Sequence, residues 1–352
     1  MNMTLQKLER TIDHAIKGEF IDANDLREVF MNLLDNAYGE ANDTSFGALF
    51  AALQSHDVSP ELVRVLYDVV VQYDNTGERM HELNGQQRYG IVGSGKDTVK
   101  TFNISTCAAI VAASAGIDIV KNGSRSESSV TGATDIIESL GIPPGLRDDQ
   151  AISYLDQHHF VYADAGVYFP KMSRRYVGKF LFFHPLSYLL SMASGVAFNN
   201  IVFGISDRNT QKVANLLDAC DVNNYMVVCG EVGDGMIDEI STCGPTMITV
   251  RIHGTKKSYV LEPEEIGIER SQAQDIASGK TPDDNKRIAL DILSGTGTIA
   301  QEDIVCVNAA AIMLLSGDAK DMKSGVQMAR DLLRSGAAAT KLAELQGAVY
   351  DT

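Results

Sequence analysis

At Tyr89 the spacing of apolar residues changes period, and that change constrains the fold more than any other feature of the chain. Before it, Leu5, Leu8, Ile12 and Ile16 recur at helical spacing, as do Leu26, Val29, Phe30, Leu33 and Leu34, and then Phe46, Leu49, Phe50 and Leu53. Ser59-Pro60-Glu61 supplies an N-cap, a proline at the first helical position and an early acid. An apolar stripe of Leu62, Val65, Leu66, Val69 and Val70 follows. Residues 1–73 therefore read as a small all-helical domain. After Tyr89, short apolar runs end in glycine loops and alternate with helical stretches, the pattern of an α/β layer architecture. Strands are predicted at 91–92, 117–120, 160–162, 201–203, 225–228 and 247–250, and helices near 103–115, 132–140, 208–219, 283–294, 302–315 and 323–346. Gly254-Thr255 between two apolar runs predicts a hairpin at the sheet edge, so the central sheet is mixed and flanked by helices.

With 352 residues, 45% of them hydrophobic, the chain can bury a sizeable core and build two domains. Its net charge of −16 gives no global support to nucleic-acid binding and disfavours an anionic membrane surface. Met1 to Lys7 lack the pattern of a secretory signal, and the apolar region Phe180 to Phe198 is interrupted by His184-Pro185. Cys107, Cys220, Cys229, Cys243 and Cys306 are odd in number, widely spaced and without a C-x-x-C pair, so reduced thiols are expected in place of disulfides or a zinc site. Together these place the chain in the cytoplasm, without a nucleic-acid or membrane partner.

Chemistry concentrates in three loops. Gly90 to Thr98 is a glycine loop directly after a strand, where backbone amides can cradle phosphate oxygens. It fits G-x-x-x-x-G-K, but Asp97 stands where a P-loop kinase needs a magnesium-binding hydroxyl, and Thr98 replaces the last glycine of G-x-G-x-x-G. Asn103-Ile104-Ser105-Thr106 then opens an Ala-rich helix whose positive end suits an anion. Asn103 alone reads as an ordinary N-cap. A second donor-rich loop, Lys121 to Ser129, follows the next strand. The third, Glu231 to Ser241, carries the adjacent acids Asp238 and Glu239, which suit Mg²⁺. Taken singly, that pair reads as first-turn acids of a helix. Lys96, Lys100, Lys121 and Arg125 are the cations available to offset the acidic field around a polyanion.

These residues resemble the anthranilate phosphoribosyltransferase family, related to the pyrimidine nucleoside phosphorylases. Gly93 to Thr98 is similar to G-T-G-G-D-G, Phe102 to Thr106 matches F-N-I-S-T, Lys121 to Gly132 resembles K-H-G-N-R-S-x-S-S-x-S-G, and Gly230 to Gly244 resembles G-x-D-G-x-D-E-x-S-x-x-G. The resemblance implies a nucleoside phosphorylase/phosphoribosyltransferase-like fold, with 1–73 joined by roughly 170–197 in the helical domain and 74–169 with 198–352 in the α/β domain. It implies a homodimer through the helical domain and a step of tryptophan synthesis: Mg²⁺-dependent transfer of phosphoribose from 5-phosphoribosyl-1-pyrophosphate (PRPP) to anthranilate or a related aromatic or heterocyclic acceptor. By position, the donor would be bound by Gly93, Gly95, Lys96, Asp97, Thr101, Asn103, Ile104, Ser105, Thr106, Lys121, Ser126 and Ser129. Ser105, Asp238 and Glu239 would hold Mg²⁺, Lys121 would act electrostatically, and no side chain would serve as acid or base.

The acceptor side departs from the family's pattern. Gly93, Asn122, Ser124 and Arg174 are its candidates, with Arg175 as the alternative arginine. There Asn122 replaces a histidine and Ser124 an asparagine, and the 164–186 region is shortened; on the donor side Ala133 replaces a serine and Lys96 a loop glycine. His184 before proline reads as a turn or core residue. Two other readings remain: a nucleoside phosphorylase, against which the Asp238-Glu239 pair argues, and a non-catalytic nucleic-acid-binding relative, against which the net charge argues.

Overall fold

The computed structural model describes residues 3–56, 58–74, 83, 85–94, 97–125, 129–176, 185–220 and 222–347. Four helices, Met3–Lys17, Ala23–Leu34, Asn42–Ser55 and Pro60–Tyr73, come first. Ser59 caps the last of them through the Leu62 amide with Pro60 at the first position, as its sequence dictates. Their apolar stripes meet around Phe30, Phe46 and Phe50, whose ring centroids lie 4.7 to 6.1 Å apart.

Eight strands follow: β1 (Tyr89–Gly93), β2 (Ile119–Gly123), β3 (Phe160–Asp164), β4 (Asn200–Gly204), β5 (Asn224–Val232), β6 (Gly235–Ile237), β7 (Thr246–Ile252) and β8 (Thr255–Leu261). They form one mixed sheet in the order β3-β2-β1-β4-β5-β7-β8, with β6 paired to β5. The first five are parallel and buried on both faces, which explains their unbroken apolar runs. β7 and β8 extend the sheet antiparallel through the predicted hairpin. The core helix Ile299–Ser316 packs against β1, β4 and β5 and against the helix Ile104–Ala113. Among the described residues it is the one helix long and apolar enough to span a bilayer, and most of it is buried inside the protein. The expected apolar region 180–198 lies partly outside the described residues.

Three expectations need correction. The helix predicted over 323–346 is two helices, Met322–Arg334 and Ala337–Gly347, because Gly336 takes a φ of +79° that a continuing helix cannot hold. β2 begins at Ile119 instead of Ile117. The helices Asp148–His158, Ala165–Tyr168, Pro170–Tyr176 and Pro185–Met192 carry no counterpart among the predicted elements. Two of these lean on the N-terminal helices. Asp74, buried at the end of the fourth helix, accepts hydrogen bonds from the Lys171 and Met172 amides at 2.8 and 3.0 Å, and Pro185–Met192 packs on the third and fourth helices.

Candidate active site at the switch of strand order

The sheet runs leftward from β1 to β3 and rightward from β4, so the strand order reverses between β1 and β4. At such a switch point the loops leaving the strands' carboxyl ends diverge, and open α/β sheets bind ligands in the crevice between them. Gly93 pairs with Gly204 at this point, and the Ser94 amide donates to the Gly204 carbonyl at 3.0 Å. Both glycines are required by close approach. A Cβ at Gly204 would stand 1.5 Å from the Asp238 carbonyl oxygen, and one at Gly93 would stand 2.4 Å from Asp238 Oδ2.

Into this crevice the β5–β6 hairpin delivers Asp238 and Glu239. They lie in the loop after β6 and not in a helix, so the first-turn reading of the pair is corrected. Oxygens of Asp97, Asp238 and Glu239 all lie within 4.8 Å of one another. The Asp238 amide and the Ser206 hydroxyl both donate to Asp97 Oδ1, at 2.7 and 2.9 Å, and Ser94 Oγ donates to Asp238 Oδ2 at 3.4 Å. Burial first, and then the Asp238 charge, raise the carboxyls of Asp97 and Glu239 well above the usual range. Glu239 Oε2 is buried without a hydrogen-bond partner among the described residues. Three crowded carboxyls with an unsatisfied oxygen fit a hard divalent cation.

Two donor-bearing loops flank the acids. Thr98 is zipped to β6, its amide and hydroxyl bonding the Met236 backbone, and Thr101 makes a β-bridge to Ala277. The helix Ile104–Ala113 starts at Asn103, which provides no side-chain cap, so the amides around Ser105 and Thr106 keep their positive end uncapped. Asn103 holds the N-cap position as read, but its Nδ2 reaches across to the carbonyls of Thr131 and Gly132 at 3.2 and 3.4 Å, tying the first loop to the second. Lys121, in the middle of β2, is buried and donates to the Asn122 carbonyl at 2.7 Å. Burial pushes its ammonium down to about 8, while Glu239 and Asp238 act in the opposite sense. Arg125 is taken up by Glu138 and Asp135, so it does not stand free as an extra cation.

Of the acceptor candidates, Asn122 is 3% exposed, its Nδ2 donates to the Ser191 carbonyl at 3.2 Å, and its Oδ1 has no partner among the described residues. Ser124 receives the Thr134 amide on its carbonyl. Of the two candidate arginines, Arg175 is held by Asn36 and Asp43 of the N-terminal helices, whereas Arg174 is exposed. The structure therefore brings together Gly93, Asp97, Asp238 and Glu239, and separately joins the Asn103 loop to the segment carrying Ser129. Gly95, Lys96, Ser126 and His184 lie outside the described residues. Sequence reasoning missed that Asp97 belongs with the two acids and that Ser206 holds it. The signal for Ser206 was its place just after β4, the strand beside β1.

Residues 86–339 match the glycosyl transferase family, a/b domain. The chain is 30% identical over 337 residues to the anthranilate phosphoribosyltransferase of Persephonella marina, covering 93% of this chain and 95% of that one. It is 34% identical over 358 aligned residues to that of Desulfotalea psychrophila, covering 98% and 99%. Among solved structures, the anthranilate phosphoribosyltransferase of Thermus thermophilus superimposes with a TM-score of 0.81 at 25% identity, covering 96% of this chain and 98% of that one. The Saccharomyces cerevisiae enzyme in complex with PRPP and Mg shares the fold, with a TM-score of 0.80 at 23% identity and 96% of both chains covered.

Proposed function

Since the chain belongs to the anthranilate phosphoribosyltransferase family and is a pentosyltransferase, we propose that it transfers phosphoribose from PRPP to anthranilate or a related small aromatic or heterocyclic amine, as a step of tryptophan synthesis. The observation that carries this reading is the acid cluster of Asp97, Asp238 and Glu239 at the β1/β4 crevice, beside a glycine loop. Asp238 and Glu239, with Ser105 from the helix start, are the residues that would hold Mg²⁺, and Asp97 joins them. Bound there, the ion would offset negative charge on the pyrophosphate.

The chain's own residues supply the rest. Uncapped amides at the start of Ile104–Ala113 and the Lys121 ammonium favour an anion on one side of the crevice. The bond from ribose C1 to pyrophosphate oxygen breaks, the bond from C1 to the acceptor nitrogen forms, and the amine loses its proton to solvent. No protein nucleophile is needed, because holding the nitrogen in line with C1 is itself worth about 7–11 kcal/mol in well-oriented reactions. Arg174 is free to meet an acceptor carboxylate, while Arg175 is committed to Asp43. The replaced positions Asn122 and Ser124 support an acceptor pocket of altered polarity.

By the same reading, 1–73 with roughly 170–197 form the helical domain, linked through Asp74, and exposed Leu5, Ile16 and Phe20 support a homodimer through it. The enzyme would work in the cytoplasm. Pyrophosphate release from PRPP with Mg²⁺, measured across a panel of acceptors, tests the proposal. Release with an aromatic amine supports it, and no release with any acceptor overturns it.

A further inference from the structure

Two segments of the proposed donor site, 100–103 and 129–132, are joined by a side chain that belongs to neither. Asn285 sits in the first turn of the helix Pro282–Leu293, whose Thr281 capping box fixes the start of that helix. It is 2% exposed. Its Oδ1 accepts from the Gly279 amide at 2.7 Å and from Ser278 Oγ at 3.3 Å, and its Nδ2 donates to Thr131 Oγ1 at 2.7 Å and to Ser278 Oγ at 3.1 Å. The segment it grips then grips the first loop: Ala277 bridges Thr101, and the Ser278 amide donates to the Lys100 carbonyl at 3.1 Å. Asn103 closes the circuit by donating to the Thr131 carbonyl at 3.2 Å.

We propose that Asn285 is a positioning residue for the phosphoribosyl donor, setting the loop after β1 and the loop after β2 at a fixed distance from each other. The inference rests on the donor assignment above, since Thr101, Asn103 and Ser129 are the residues it would align. Its physical basis is that a buried amide with its oxygen and nitrogen both engaged cannot be truncated without leaving the Gly279 amide and the Thr131 hydroxyl short of a partner. Both loops would then shift by fractions of an ångström, enough to weaken a site whose donors must converge on one anion.

The test compares wild type, Asn285→Ala, Thr131→Val and Thr131→Ser by steady-state kinetics, with PRPP binding followed by calorimetry in Mg²⁺. Asn285→Ala and Thr131→Val should each raise the KM and Kd for PRPP about tenfold while the acceptor KM moves less than about twofold, as expected for one lost buried hydrogen bond. A double variant combining Asn285→Ala with Thr131→Val, measured in the same way, should be little worse than either single one, because both break the same link. Thr131→Ser, which keeps the hydroxyl, should restore wild-type values. If Asn285→Ala does not fold, the two Thr131 variants carry the test. A lowered melting temperature with an unchanged PRPP KM in Asn285→Ala or Thr131→Val would overturn the proposal. A wild type that binds no PRPP would overturn the donor assignment itself.

Discussion

The two sides of the crevice are built differently. On the side proposed to take the donor, most polar atoms bond to one another, Glu239 Oε2 excepted: Asp97 is held by Ser206 and the Asp238 amide, Thr98 by Met236, and Asn103 by Thr131 and Gly132. On the side proposed to take the acceptor, Asn122 keeps a buried oxygen without a partner among the described residues, and Arg174 faces solvent beside an Arg175 already paired. A residue inside a closed network cannot be exchanged without stranding its partners, whereas a residue that waits for a ligand can be replaced at little cost to the fold. Of the substituted positions, Asn122 and Ser124 stand among the acceptor candidates, while Lys96 and Ala133 stand at positions that the family resemblance gives to the donor.

The largest effect should come from breaking the donor side at the acids. Asp238→Asn with Glu239→Gln should abolish Mg²⁺-dependent turnover, a loss of at least roughly 10³-fold, while circular dichroism stays native. The same variant should raise the melting temperature of metal-free protein. The native-state carboxyls of Asp97 and Glu239 lie above their ordinary values of 3.8 and 4.5, so their contribution is present below those values and is lost as pH rises. Metal-free wild type should therefore lose stability as pH climbs from about 4, and added Mg²⁺ should return more of it at high pH than at low, read by thermal melts with and without chelator.

Lys121 comes next. Lys121→Met should lower kcat/KM for PRPP roughly 10²-fold. In wild type kcat/KM for PRPP should fall as pH rises through about 8, where the ammonium is lost, and Lys121→Arg should remove that limb. Stability runs the other way. The native lysine releases its proton below its ordinary 10.5, so the unfolded chain binds more protons between about 8 and 10.5 and stability rises with pH across that window.

A smaller effect sharpens the acceptor side. Arg174→Ala should raise the acceptor KM about tenfold with the PRPP KM unchanged, the size of one charge-assisted contact. Arg175→Ala should leave both nearly unchanged, because what it loses includes its hydrogen bond to Asn36 and a partly exposed pair with Asp43, both on the N-terminal helical segment. The smallest is structural: Asp74→Ala should cost about 1–2 kcal/mol by uncapping the Pro170–Tyr176 helix, seen in denaturant melts.

How much of this was legible in the sequence follows the same division. The helical start, the strands other than β6 and the edge hairpin were legible because apolar period and glycine loops are local signals, whereas the three-residue β6 forms only by pairing with β5. The acids 238 and 239 were legible as a pair, but the company of Asp97 was not, because it depends on β1 and β4 becoming neighbours and on Ser206 following β4. Asn285 was hidden for the same reason: its partners lie up to 154 residues away in the chain. The short helices between 165 and 192 escaped because they are held by distant groups such as Asp74 more than by their own propensity.

The most direct test of the central claim is calorimetric titration of PRPP into the protein with and without Mg²⁺, in wild type and in the Asp238→Asn, Glu239→Gln variant. The account predicts binding by wild type that strengthens with Mg²⁺ and a variant in which that strengthening is gone. Equal Mg²⁺ dependence in the two proteins would contradict it.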